Sequence, residues 1–487
     1  MRKNIWQNLA ESGRIWQNLA RGVYMFDVQK ILSLPESKTV EFKRDLSSMN
    51  PVLKTLVAFA NTAGGVLLIG RDNDGTIVGI DDVFAAEEKL ANTLADSIVP
   101  QLLAEIEIAS IEGKSLLVVR VAHWRGPFYL KAKGPEQGVY IRLGSTNRLA
   151  GPEQIAELKR SIANVSFDQI PCPEVDISGL DMQRIHRAFS EVGRKVDKNK
   201  LETLGVIVPY AGKLVCSNGG VLLFGQDSIR KKYFPNTVFR CARFQGTEKV
   251  HFIDHYDVEA TIIEAMGEVP KFIRRNTRMA AKIQRIKLED IPEYSSVAVR
   301  EALTNALVHA DYSIQGMNPR LAIFSDRLEI ESPGMLPFGY TLEDFVAGIS
   351  HIRNKVIARV FRELHLMEEW GTGYRRIIES CQKGGYPEPV WAEIGTSVRV
   401  ILYPQSTTTE IFEPIPKRIE QQQLTLSQRE ILNVFKHHEL LSAKEIRNKL
   451  QDHRMAERTI RALLQELKAL GLLVMVGRGR ATSWMKQ

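Results

Sequence analysis

The sequence predicts an α+β, multidomain protein, and three observations carry that prediction. The chain has 487 residues, enough for about three or four domains of ordinary size. Stretches with strand alternation and stretches with helical periodicity interleave along most of it, broken by glycine turns. The charge also changes character near the end. Residues 417–487 hold 14 Lys and Arg against 7 Asp and Glu, which accounts for nearly all of the net +8. A basic terminal module points to a polyanionic partner, with nucleic acid first.

Composition excludes several classes. Hydrophobic residues make up 44% and charged residues 25%, ordinary values for a chain that buries real cores. No apolar run approaches the roughly 18 residues that span a bilayer. The first residues lack the apolar centre of a secretion signal, so no membrane partner and a cytoplasmic location are expected. Cys172, Cys216, Cys241 and Cys381 are scattered, which argues against a zinc site. A P-loop is excluded, because no G-x-x-x-x-G-K-[ST] occurs.

Taken in order, residues 1–26 hold a tandem IWQNLA (5–10 and 15–20) and read as a helical arm. Residues 27–165 read as mixed α and β: a strand at Val40 and Phe42, a helix over 51–61, and a strand at Val66–Ile69. An Asn73-Asp74-Gly75 turn then leads into Ile77–Ile80, followed by a helix over 84–103, strands near 105–111 and 115–121, a hairpin, and a helix over 152–162. Residues 176–290 form a middle α/β region, with a helix near 180–191. Its GGVLLFG at Gly219–Gly225 echoes GGVLLIG at Gly64–Gly70, so a second strand is expected there. Residues 291–404 form another α/β unit. Residues 405–424 are rich in Pro, Thr and Gln and read as a linker. In 425–487, Ser427 and Ser442 are candidate caps of two helices. A third spans about 455–470, and Leu472–Val476 with Thr482–Met485 make a hairpin.

The most informative chemistry lies in VREALTNALVHADY, Val299–Tyr312. Glu301 and Asn305 are four residues apart and share one helix face, with His309 a turn further on. A carboxylate and an amide on one face suit a water-activating base and a Mg²⁺ ligand; the same pattern also reads as a polar stripe on an amphipathic helix. Downstream come a hairpin, Ser332-Pro333-Gly334, then Gly371-Thr372-Gly373 opening a helix. Small residues at a helix start leave backbone N–H groups free to meet an anion.

This ordered set, EALTNALVHADY, DRLEIESPGMLP, HIRN and EEWGTGYRRI, resembles the GHKL-type ATP-binding fold, an α/β sandwich, over about 180–404. The resemblance implies ATP and Mg²⁺ as cofactors. It implies Glu301 as general base, Asn305 as Mg²⁺ ligand, Ser332 and Gly334 near the adenine, and Gly371, Thr372 and Gly373 as phosphate loop. Arg353 and Asn354 would belong to the lid. Ser332 stands where the wider family has an aspartate, and Ala310 replaces an arginine usual in this branch. Weak ATPase activity is the enzymatic expectation.

Glu36–Arg44 (ESKTVEFKR), Val57–Gly65 (VAFANTAGG) and Tyr140–Ser145 (YIRLGS) resemble the Schlafen/AlbA domain over about 32–162. That implies nucleic-acid binding, with DNA the leading partner and RNA open, and RNA cleavage in some relatives. Lys43, Arg44 and Arg142 are candidate phosphate contacts. Cleavage would need converging carboxylates; Glu36 and Glu41 stand at the family's spacing, but Asn73 aligns with the third acid and only Asp72 or Asp74 could substitute.

The C-terminal module resembles a winged helix-turn-helix. Arg454, Arg458 and Arg461 would lead the third helix into the major groove, and Arg478 and Arg480 would tip the wing. The whole reads as an ATP-binding, DNA-binding regulator. The alternatives are a Schlafen-like metal-dependent nuclease acting against foreign nucleic acid, and a nucleotide-sensing scaffold. A homo-oligomer is expected by analogy with GHKL proteins.

Overall fold

The computed structural model describes residues 28–284, 287–367, 373–405, 426–435, 441–450, 457–469, 473–476 and 483–486. The IWQNLA arm and the 405–424 linker, apart from Gln405, lie outside them. The chain divides into two compact units between Ser406 and Thr407.

The larger unit opens with a four-stranded sheet in the order Val40–Lys43, Gly65–Ile69, Lys114–Val121, Ala104–Ile111. The first pair is parallel and therefore needs a crossover, which the Met49–Thr62 helix supplies. Gly65–Ile69 is buried on both faces. Leu67 and Ile69 meet Val52, Leu56 and Phe59, while Val66 and Leu68 meet Ile31, Val40 and Phe42. Ile77–Ile80 is not a strand. The amides of Val78 and Gly79 both donate to Gly70 O, leaving only an Arg71–Ile77 bridge. The helix expected over 84–103 runs Val83–Ser97. Ile98–Val99 pairs instead with Tyr129–Leu130, and Pro100 disfavours a helical residue before it.

The second large sheet has six strands, in the order Phe252–Val258, Phe239–Phe244, Arg320–Ile323, Leu328–Pro333, Ser397–Leu402, Val390–Ile394. The Ser296–Val308 helix packs against this sheet and between the Ile262–Asn276 and Gly373–Gly384 helices. One continuous core runs from Cys172 to Leu402, including Phe189, Phe224, Leu303 and Ile330. The expected division near 290 is therefore not a division between cores, because the middle region contributes two strands to the same sheet. Gly219–Gly225 is also corrected: Asn218–Phe224 is a helix, started by Ser217, whose hydroxyl accepts from Gly220 N at 2.9 Å.

Met335–Gly339 ties the N-terminal part of this unit to the part built on the second large sheet. Met335 is buried among Val139, Ile141, Ile155 and Leu158. Lys38 pairs with Glu393 at 2.9 Å, and Glu393 accepts from Leu336 N at 2.8 Å.

The smaller unit has helices Leu426–Val434, Ala443–Lys449 and Glu457–Ala469. Its sheet has the order Leu441–Ser442, Ser483–Lys486, Leu473–Val476. Ser442 and Glu445 form a reciprocal capping box. Ser427 lies within the first helix rather than capping it. Ile431, Ile446, Ile460, Leu464 and Trp484 fill the core.

Candidate nucleotide site

Ser295 caps the Ser296–Val308 helix, its hydroxyl accepting from Ala298 N at 3.2 Å. Leu303 and Leu307 anchor one side of the helix in the core. Its other side brings Glu301, Asn305 and His309 to the wall of a pocket. The floor comes from two paired strands, where Ile330 registers with Val400 and Ser332 with Val398, all four lining the pocket. Strand alternation puts these residues on one face. Trp391, Tyr374 and Phe345 close another side as one aromatic cluster, with ring centres 5.0–5.5 Å apart.

Gly373 begins its helix beside Glu301 and Asn305. A Cβ there would lie 3.3 Å from Glu301 Oε2 and 3.7 Å from Asn305 Nδ2. Arg376, one turn on, reaches Glu301 Oε1 at 3.2 Å. Gly371 and Thr372 lie outside the described residues. His309 is held well below the ordinary imidazole range, at about 4, first by burial and then by the Arg353 charge, so it is neutral near pH 7.

Three residues expected at the nucleotide have other positions. Gly334 does not line the pocket. Its φ is +99°, and a Cβ would sit 2.6 Å from Arg353 Nη1 and 2.7 Å from Asp311 Cβ, so the position demands glycine for packing. Arg353 pairs with Asp311 at 3.1 Å, lies 3.6 Å from Glu157, and donates to Met335 O. Asn354 is buried and donates to Val308 O at 2.9 Å and Ala310 O at 2.7 Å, tying down the end of the pocket helix. Arg353 and Asn354 hold the wall from behind. The sequence reading missed Tyr340, Phe345, Tyr374 and Trp391, which come from separate segments with no common spacing.

The charges expected on the N-terminal nucleic-acid face are largely spent on one another. Arg142 is fully buried. It pairs with Glu41 at 2.7 Å and donates to Ser37 O at 2.6 Å and Asn147 Oδ1 at 3.0 Å, so it is an anchor rather than a phosphate contact. Lys43 pairs with Glu41, and Arg44 with Asp72 at 2.5 Å. Glu36 accepts from Phe42 N at 3.2 Å. The three candidate nuclease acids are thus engaged separately, and among the described residues no three His, Cys, Asp or Glu side chains are grouped to hold a metal. In the smaller unit Arg458 and Arg461 are exposed on the Glu457–Ala469 helix. Arg454, Arg478 and Arg480 lie outside the described residues.

Residues 36–151 match the Schlafen, AlbA_2 family. This Schlafen/AlbA_2 domain is followed by a second match at residues 316–402, to the family described as "Putative ATP-dependent DNA helicase recG C-terminal", an ATPase-like domain. The second match covers Ser332 and Gly373 but begins after the Glu301 helix. Two solved structures are similar. The DIP2311 protein from Corynebacterium diphtheriae is 18% identical, covering 94% of this chain and 96% of that one, with a TM-score of 0.42. The N-terminal domain of a RecG-related protein from Nitrosomonas europaea is 31% identical, covering 26% of this chain and 94% of that one, with a TM-score of 0.22. No curated protein is a significant match. Among the described residues, no helix is long and apolar enough to cross a membrane.

Proposed function

We propose that this chain is a nucleotide-responsive regulator that binds ATP·Mg²⁺ in the Glu301–Asn305 pocket and nucleic acid through its N-terminal and C-terminal parts. The observation that carries this reading is the placement of Glu301, Asn305 and Gly373 together above the apolar floor of Ile330, Val398 and Val400. The residues present fit the group. The amide oxygen of Asn305 suits a hard cation, and the Glu301 carboxylate suits proton removal from water. The aliphatic floor and the aromatic wall suit a planar base, with the Ser332 hydroxyl as its polar contact. Bound ATP·Mg²⁺ would supply the phosphoryl group and the charge that polarises it. The chain's own part is to orient Glu301, which the Arg376 guanidinium restrains, and to keep water from the floor of the slot.

Three helices and a short three-stranded sheet in the smaller unit support a winged helix-turn-helix reading, in which Arg458 and Arg461 approach DNA. The Schlafen/AlbA_2 match supports a second nucleic-acid contact in the larger unit. Fluorescence anisotropy of the full chain on labelled DNA, with and without ATP·Mg²⁺, tests the reading. Coupling of ordinary strength would change the affinity by about 5- to 150-fold. Equal affinity in both states would remove nucleotide control from the account.

A further inference from the structure

The cations expected to meet phosphate in the larger unit are mostly neutralised, but another group is not. A cleft of about 370 Å³ opens where the loop after Val121 and the Pro152–Ile162 helix face the Pro337–Gly339 and His351–Lys355 segments. Arg125, Arg160 and Lys355 line it, from the loop after Val121, the Pro152–Ile162 helix and the start of the Lys355–Glu363 helix. Among the described residues no carboxylate lies within ion-pair distance of these three. Lys355 Nζ donates to Asn164 O at 2.6 Å and Asn164 Oδ1 at 2.9 Å, which satisfies its geometry and leaves its charge. The Arg160 guanidinium lies 5.6 Å from the centre of the Phe167 ring. The two acids lining the cleft, Glu157 and Asp311, face Arg353, whose side chain is only 7% exposed; Glu157 also feels the Arg160 charge, without an ion pair to it.

Trp124, between His123 and Arg125, keeps 46% of its surface exposed. Cations with no carboxylate at ion-pair distance along an open cleft, beside an exposed indole, are what an unpaired polynucleotide uses: phosphates take the cations, and a base stacks on the ring.

We infer that this cleft is a binding site for a single-stranded nucleic-acid segment, held through its phosphates by Arg125, Arg160 and Lys355 and through a base by Trp124. The inference rests on the nucleic-acid reading above and relocates the contact away from Lys43, Arg44 and Arg142. It also gives nucleotide control a physical route, because Pro337 and His351 line both this cleft and the nucleotide pocket.

The test is anisotropy of fluorescein-labelled single-stranded DNA on the full chain carrying Arg478→Ala/Arg480→Ala, which removes the proposed wing contacts. Adding Arg125→Ala/Arg160→Ala should lower affinity by about tenfold or more and flatten the salt dependence by about one to two units. Trp124→Ala should lower it by about tenfold with the salt slope unchanged. Arg125→Lys/Arg160→Lys should retain most of the affinity, and Lys43→Ala/Arg44→Ala should leave it within about twofold. Melting temperatures near that of the parent establish that each variant is folded. Cleft variants that bind like their parent would overturn the inference alone. A wild-type chain that binds no nucleic acid at low salt would overturn both it and the reading beneath it.

Discussion

Polar motif residues are used differently in the two halves of the larger unit. In the Schlafen/AlbA_2 domain, Glu41, Lys43, Arg44, Asp72 and Arg142 turn toward one another, with Arg142 and Glu41 buried at the centre. Above the second sheet, Glu301, Asn305 and Ser332 face a cavity whose remaining walls are mostly apolar. The first arrangement costs much to disturb and offers little charge to a ligand. The second can be altered with little structural consequence, which is how a site differs from a scaffold.

The largest effect expected from this contrast is on stability. Arg142→Ala leaves the Glu41 carboxylate and Ser37 O without their guanidinium, so it should destabilise the protein by about 3–5 kcal/mol in chemical denaturation. A loss below about 1 kcal/mol would break the contrast. The next is a titration on the pocket side. His309 is depressed to about 4 in the folded chain, whereas an unfolded histidine titrates near 6.5. Its contribution is therefore complete above about pH 6.5 and is lost as pH falls toward 4, by roughly 2 kcal/mol. Denaturation of wild type and His309→Gln at pH 7 and 4.5 isolates it: the variant should lose less stability on acidification. Equal losses would contradict the lowered titration of His309. Smaller still, Lys43→Ala/Arg44→Ala breaks only partly exposed pairs and should cost less than about 1 kcal/mol by the same assay. The smallest is Glu301→Gln, which keeps the side chain's shape and should stay within about 0.5 kcal/mol of wild type.

Two near-identical heptapeptides mark where local reading of the sequence ends. GGVLLIG forms the strand Gly65–Ile69, and GGVLLFG contributes to the helix Asn218–Phe224. Both are buried, so neither has a periodicity to read. The first follows a turn at Gly64, φ +74°, and finds strand partners on both sides. The second follows Ser217, whose hydroxyl caps a helix, and Gly220 lies so close to Val206 that a Cβ would come within 2.1 Å of its carbonyl oxygen. Tertiary context decides, and it was absent from the seven letters. By contrast, the i, i+4 spacing of Glu301 and Asn305 was legible, because one helix carries both. Ser332 on the pocket floor was legible through the strand that leads to it. Arg353, Asn354 and Arg142 suit ligand contacts as letters but hold the scaffold in the fold, because a one-dimensional motif does not say which side of a wall a polar side chain occupies. The aromatic wall could not be read at all: Phe345, Tyr374 and Trp391 meet only after folding.

The central claim is that the Asn305 face of this pocket takes a nucleotide through Mg²⁺. Isothermal titration of ATP into the full chain, with Mg²⁺ and with EDTA, measures it directly. Wild type should bind with an affinity that depends on Mg²⁺. Asn305→Ala should lose that dependence, and Glu301→Gln should bind while losing any hydrolysis seen in wild type. Equal Mg²⁺-dependent affinity for wild type and Asn305→Ala would contradict the account.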